Sequence, residues 1–358
     1  MAMKQIRLHP SGHIVECQEG SAVLEALEAA GYALPNNCRA GACGECKVKV
    51  LSGTFDQGFV LDMALSQQER HEGYGLMCMA KPISDELVID WGTEDAQPKL
   101  FPPRENQEFI VVDRLMRTPR ILELRLRPLA SPMRYWPGQY ILLGSPQSGI
   151  PPRSYSIANA PRPDGEISLQ ITRVDDGITS AWVHQSLNVG NTVTLSGPYG
   201  TFIGDPSVDA PVLCIAAGSG LAPVLALADA ALRRGYSQPV TLLFSARTTD
   251  DLYESGLMAW WQAKHPGFRY LYTLTREKHE GLCGRVPQVL PSLFNDLSEF
   301  SIFIAGSPAF VEDCVSAVKT LGAKPRMIHS EGYFQQQRPV VAPASQMVSL
   351  QTSLSERS

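Results

Sequence analysis

Apolar and polar positions alternate in Ile6-Arg7-Leu8 and again in Ile14-Val15-Glu16. With Pro10-Ser11-Gly12 between them, this predicts a hairpin. Val23, Leu24 and Leu27 then fall on one helical face, predicting a helix over 22–30 with Ser21 as its cap and Gly31 at its end. Lys47-Val48-Lys49-Val50 and Leu87-Val88-Ile89 read as further strands. From 93 to 103 periodicity fades and Pro98, Pro102 and Pro103 suggest a semi-rigid linker. Short β-branched or alternating runs follow at 109–112, 121–127, 140–143, 154–157, 167–172 and 193–195, punctuated by Pro and Gly. That spacing predicts a small antiparallel barrel. Beyond residue 211 the pattern changes to apolar strands at 212–216, 240–244, 268–273 and 301–305, with helices at 222–233, 252–264 and 309–321 between them. Alternating β and α predicts a parallel sheet covered on both faces. After Gln335 the periodicity is lost among glutamines, prolines and serines, so no fixed fold is expected there.

The chain divides accordingly into 1–95, a linker 96–105, a barrel 106–206, an α/β unit 207–334 and a tail 335–358. Apolar residues make up 44% and charged residues 19%, which suits an ordinary globular protein. No apolar run follows Met1-Ala2-Met3-Lys4-Gln5, so no signal peptide is read. The most apolar stretch, 211–232, is broken by Gly218, Gly220, Pro223 and Asp229, too often for a membrane span. A soluble, cytoplasmic protein is expected. Residues 1–95 hold 7 Lys and Arg against 14 Asp and Glu, leaving 24 against 22 in the rest. That balance offers nothing to nucleic acid. It suits either a docking partner with a basic surface or simply a solvated acidic face.

The densest chemistry lies in Cys38-Arg39-Ala40-Gly41-Ala42-Cys43-Gly44-Glu45-Cys46. Three thiols in so short a loop can converge on a metal centre if glycine lets the backbone wrap closely. Cys78 supplies a fourth. C-x4-C-x2-C with a distant fourth cysteine is the plant-type [2Fe–2S] spacing; zinc is the alternative, but its ribbons favour two C-x2-C knuckles. Cys17, Cys214 and Cys314 read as buried hydrophobes, and Cys283 as loop-borne.

Two further constellations bear on nucleotides. In Arg153-Ser154-Tyr155-Ser156 a guanidinium can grip phosphate, a ring can stack on a heterocycle and a hydroxyl can meet a ring nitrogen. Gly177 and Ser180 open a short helical run whose start suits a phosphate. Gly218-Ser219-Gly220-Leu221-Ala222-Pro223 sits at a βα turn, where glycines let backbone approach a pyrophosphate and proline fits the first helical turn. A hydride donor gives two electrons and a [2Fe–2S] centre takes one at a time. A flavin between them resolves the mismatch.

Residues 3–334 resemble the single-chain reductases of bacterial ring-hydroxylating oxygenases, such as the benzoate and naphthalene dioxygenase reductases. The resemblance implies a β-grasp [2Fe–2S] ferredoxin, an antiparallel flavin barrel and an α/β nucleotide domain. It implies FAD on Arg153, Tyr155 and Ser156, with Gly177 and Ser180 at its phosphates, and NAD(P)H over Gly218, Gly220 and Pro223. Ala305-Gly306-Ser307-Pro308 occupies the place of the family's C-G-x-P motif, with alanine for its cysteine, and leaves Gly306 and Ser307 as nucleotide contacts. Glu331-Gly332-Tyr333 resembles the family's E-x-Y ending, implying that Glu331 supports hydride transfer and Tyr333 covers the flavin. The implied donor is NADH, with Arg247 permitting some NADPH use, while Asp250 and Asp251 are expected to cap the next helix. The implied acceptor is an oxygenase component or a ferredoxin. A reductase serving a deoxysugar dehydrase shares every motif, and a non-enzymatic redox sensor would have damaged ones.

Overall fold

The computed structural model describes residues 2–204 and 208–333. The expected tail and the 206/207 boundary lie outside the described residues. The first sheet has the order Ile14–Gln18, Met3–His9, Glu86–Asp90, Lys47–Ser52, Tyr74–Leu76. Met3–His9 pairs antiparallel with its hairpin partner and parallel with Glu86–Asp90, the mixed arrangement of a β-grasp. The helix Val23–Ala29 closes its core through Val23, Leu24 and Leu27. Ser21 does not cap it. The cap position is Ala22, whose N–H is taken by the Glu25 carboxylate at 3.2 Å.

The segment read as linker is clasped at both ends. Lys99 and Leu100 donate their N–H groups to the Gly31 carbonyl at 2.8 and 2.9 Å. Phe101 stacks on Trp136 with 5.5 Å between ring centroids, Trp136 Nε1 donates to Lys99 O at 2.8 Å, and the Arg134 guanidinium lies over the Phe101 ring. The first barrel strand, Arg104–Met116, begins inside the expected linker because Arg104 pairs with Gly197.

Six antiparallel strands follow one another around the second sheet: Ile150–Ser156, Tyr140–Ser145, Thr192–Tyr199, Arg104–Met116, Ile121–Pro128, Ile167–Thr172. A bridge between Ile157 and Leu169 joins the two ends and closes the barrel. Closure removes the exposed edges that an open sheet would leave. Inward residues such as Leu124, Ile141, Leu169 and Leu195 fill the interior.

The third sheet is wholly parallel, ordered Leu282–Cys283, Phe268–Leu274, Val240–Ala246, Val212–Ala217, Ser301–Gly306, Ile328–Gly332. Alternate strand residues feed two cores. Cys214, Ala216, Leu242 and Phe244 meet the helices Leu221–Arg233 and Ser255–Lys264. Leu213, Ile215 and Leu243 meet Val286–Leu293 and Pro308–Thr320. The chain leaves Val212–Ala217 on one side and returns to its other side with Ser301–Gly306. The strand order therefore reverses at the end of Val212–Ala217, where doubly wound sheets bind ligands.

Candidate electron-transfer site at the junction of three sheets

The cysteine loop wraps tightly because two positions need left-handed backbone. Gly41 has φ 68° and a Cβ there would fall 2.9 Å from Val60 Cγ1; Gly44 has φ 81°. The four thiols meet in pairs. Cys38 lies with Cys43, and Cys46 with Cys78. Backbone N–H groups of Ala40 and Ala42 point at Cys38 Sγ at 3.5 and 3.4 Å, and Cys78 N–H points at Cys46 Sγ at 3.4 Å. Among the described residues no group of three or more His, Cys, Asp or Glu is arranged for a single metal ion. Two thiol pairs with donors to sulfur fit a two-iron cluster better than a lone zinc.

One side of this loop is docked on the rest of the molecule. Arg39 has left-handed backbone (φ 52°). Its Nη1 donates to both oxygens of the buried Glu28 carboxylate at 2.6 and 2.8 Å, and the guanidinium lies 4.4 Å from the Tyr199 ring centroid. Tyr140, from the barrel, donates its hydroxyl to Asn36 Oδ1 at 3.0 Å. Asn37 donates its side-chain amide to the carbonyl of Gly332, in the last strand of the parallel sheet.

That last strand carries Glu331 into the barrel end. Ser156 Oγ lies 3.1 Å from Glu331 Oε2 and 3.1 Å from the Tyr333 hydroxyl. Burial pushes Glu331 up to about 8, against the lowering effect of Ser156. The carboxyl therefore keeps its proton at neutral pH. Tyr333 N–H donates to Gly306 O at 2.8 Å, which ties the pair to the strand Ser301–Gly306.

At the βα turn, Gly218 has φ 56° with open space above it, while a Cβ on Gly220 would fall 2.2 Å from Ala305 O. The two glycines differ: Gly218 has open space above it, whereas Gly220 lets the turn pack against the neighbouring strand. The Tyr253 hydroxyl lies 3.0 Å from both Gly218 O and Gln170 Oε1, and Thr172 donates to Ser219 Oγ at 2.9 Å. The turn is thus fastened to the barrel strand Ile167–Thr172.

Three family models match the chain in this order: a 2Fe-2S iron-sulfur cluster binding domain over 6–82, an oxidoreductase FAD-binding domain over 109–203 and an oxidoreductase NAD-binding domain over 214–316. The reductase subunit of an aromatic O-demethylase from an Amycolatopsis species is 36% identical over 331 residues, covering 90% of this chain and 96% of that protein. The chain belongs to the single-chain ferredoxin, FAD and NAD reductases. The crystal structure of the Amycolatopsis cytochrome P450 reductase GcoB superposes with a TM-score of 0.83 at 32% identity, covering 92% of this chain and 98% of that one. The naphthalene 1,2-dioxygenase reductase component of Pseudomonas putida is 29% identical over 336 residues (92% and 98%). A CDP-6-deoxy-L-threo-D-glycero-4-hexulose-3-dehydrase reductase of Yersinia pestis is 31% identical over 313 residues (86% and 91%).

The cofactors of this reductase are a [2Fe–2S] cluster, FAD and a nicotinamide nucleotide. Among the sequence-predicted residues, Ser156, Glu331 and Tyr333 meet at one point. Tyr155 and the half-buried Arg153 share its strand. Gly177 caps the helix Ile178–Gln185 and lines an open concavity with Arg173, Val174 and Ala181. Ser180 does not turn its hydroxyl into that space; it is spent on the loop, 3.1 Å from Val174 N and 3.3 Å from Gly177 O. Pro223 is buried in the first turn of its helix. Ser307 caps Pro308–Thr320, accepting from Phe310 N–H at 3.4 Å. Arg247 is exposed at the end of Val240–Ala246. Asp251 does not cap the next helix: its carboxylate folds back on Thr248 N–H and hydroxyl, and that helix starts only at Ser255.

Residues that sequence reasoning missed are Asn36, Asn37, Arg39 as a docking group and Tyr253. Only the long-range contacts reveal them. Among the described residues no helix is long and apolar enough to cross a membrane.

Proposed function

We propose that this reductase takes hydride from NADH and delivers single electrons through its cluster to an oxygenase component. The observation that carries this reading is the contact of Asn37 with Gly332, which sets the cysteine loop beside the strand holding Glu331 and Tyr333. FAD, when bound, supplies the change from two-electron to one-electron chemistry. Cys38, Cys43, Cys46 and Cys78 would hold the iron. Arg153 and Gly177 would take the flavin's phosphates, and Ser156 and Tyr155 would meet its ring. Gly218 and Ser219 would face the nicotinamide nucleotide's pyrophosphate, at the reversal of strand order. Glu331 keeps a proton beside Ser156, and Tyr333 covers the same point. Ala305 has no thiol to offer, and hydride passage from donor to ring needs none.

The test compares NADH-driven reduction of ferricyanide and of cytochrome c in wild type and Cys78→Ser. Ferricyanide activity is expected to persist and cytochrome c activity to fall with the cluster. Candidate oxygenases are then assayed for NADH-dependent turnover. The similarity to a deoxysugar dehydrase reductase supports a second reading, in which the acceptor is a dehydrase; turnover with such a dehydrase and none with oxygenases would favour it.

A further inference from the structure

The cysteine loop has a second side. Across Gly41 runs the segment 58–65: Leu61 N–H donates to Gly41 O at 3.0 Å, and Val60 packs where a Gly41 side chain would stand. The segment is held in place by Arg70, which donates to Val60 O at 3.4 Å, Asp62 Oδ1 at 3.1 Å and Leu65 O at 3.3 Å. Val60, Ala64 and Leu65 point into the core. Phe59 and Met63 do the opposite, at 78% and 84% exposure, with Leu61 between them at 39%.

A single exposed apolar side chain is ordinary, but three in five residues on an anchored loop mark a contact surface. Phe and Met are enriched at the centres of protein interfaces, and Met adapts to varied partners. The exposed carboxylate of Asp56 lies beside the surface, Asp62 is paired with Arg70, and the module as a whole has a twofold excess of acidic over basic residues. The other side of the cysteine loop is already covered through Asn36, Asn37 and Arg39. Electron tunnelling weakens steeply with distance, so an acceptor must approach the uncovered side.

We propose that Phe59 and Met63, backed by Leu61, form the docking surface on which an acceptor redox protein with a basic face receives electrons from the cluster. This rests on the reading that electrons leave through the cluster. Hydrophobic contact would hold the acceptor, and the acidic surroundings would guide its approach. Such redox encounters are small and brief, so two apolar anchors suffice.

The test uses the full-length holoprotein with cytochrome c, a basic one-electron acceptor, as probe. In Phe59→Ser/Met63→Ser, the KM for cytochrome c is expected to rise about tenfold, the loss of one or two interface anchors. NADH–ferricyanide turnover and the EPR signal of the reduced cluster should not change. Phe59→Leu/Met63→Leu, which keeps the surface apolar, should restore the KM. An unchanged KM in the serine variant overturns the proposal. So does a wild-type dimer in sedimentation that the serine variant turns into monomer, since the surface would then belong to a second copy of this chain. If Cys78→Ser reduces cytochrome c as fast as wild type, the reading that electrons leave through the cluster fails, and this proposal falls with it.

Discussion

Asn37 and Gly332 are hydrogen-bonded across 295 residues of sequence. Asn37 precedes the first cluster cysteine, and Gly332 lies between Glu331 and Tyr333. Breaking this contact should loosen the cysteine loop from the strand Ile328–Gly332 without touching hydride transfer. Asn37→Ala is expected to leave NADH–ferricyanide turnover intact. The stopped-flow rate of cluster reduction should slow about two- to tenfold, the weight of one hydrogen bond. Equal slowing of both reactions would show that the contact only supports folding.

Cys78→Ser should lose the visible and EPR signature of the [2Fe–2S] centre while FAD stays bound. Cys78 faces Cys46, and a cluster iron cannot be held by Cys46 alone. Iron content measured on the purified variant checks this; a full complement of iron would remove Cys78 from the ligand set.

Burial holds the Glu331 carboxyl above the range of a surface carboxylate, so its contribution to stability runs against pH in the opposite direction. Its folded value, about 8, lies above the ordinary 4.5 because of burial. Between those two values the unfolded chain has released a proton that the folded chain still holds. Stability from this group is therefore present at acid pH and lost as pH rises toward about 8. In flavin-free protein, Glu331→Gln should flatten that loss: its Tm should change less than that of wild type from pH 5 to pH 8. Parallel Tm curves for the two proteins would refute the shift.

Gly220→Ala should be more harmful than Gly218→Ala. A Cβ at Gly220 collides with the Ala305 carbonyl, whereas Gly218 has only its left-handed backbone to lose. Overpacking costs about 1–3 kcal/mol, and more where the neighbour is backbone that cannot yield. The left-handed penalty is about 1–2 kcal/mol. Thermal unfolding of the two variants should rank them in that order, and retained NADH affinity should distinguish the loss of packing from the loss of a ligand contact.

Arg247 bears on the choice of nicotinamide. It is exposed at the strand end beside Arg276, while Asp251 is occupied with Thr248. NADH is expected to be preferred. Arg247→Ala should lower kcat/KM for NADPH about tenfold or more, the value of a charge-assisted contact, and leave NADH nearly unchanged. Equal losses with both nucleotides would show that Arg247 does not read the 2′ position.

The sheets were legible where packing imposes a strong period. The apolar strands from Val212 to Ala246 and the amphipathic helix Leu221–Arg233 announce themselves because both their cores are deep. Ile328–Gly332 was not legible as a strand: Ile-His-Ser-Glu-Gly reads as loop, and only pairing with Ser301–Gly306 makes it extended. The helix Val286–Leu293 was hidden by Pro287 and Pro291, which read as breakers. At the site, Glu331, Tyr333 and Ser156 were recognisable from short motifs. Asn36, Asn37 and Tyr253 were not, since their importance lies in partners far away in the chain.

The clasp of Lys99, Leu100 and Phe101 between Gly31 and Trp136 turns a linker into a splint. A free linker would let the iron–sulfur module swing, and each electron would wait for it to return. A splinted one keeps donor and acceptor permanently at close quarters, so the internal transfer step should be insensitive to solvent viscosity. It also means that the module is not a plug-in part. Exchanging it for that of a relative would require carrying residues 99–101 and their seat at Gly31 along with it.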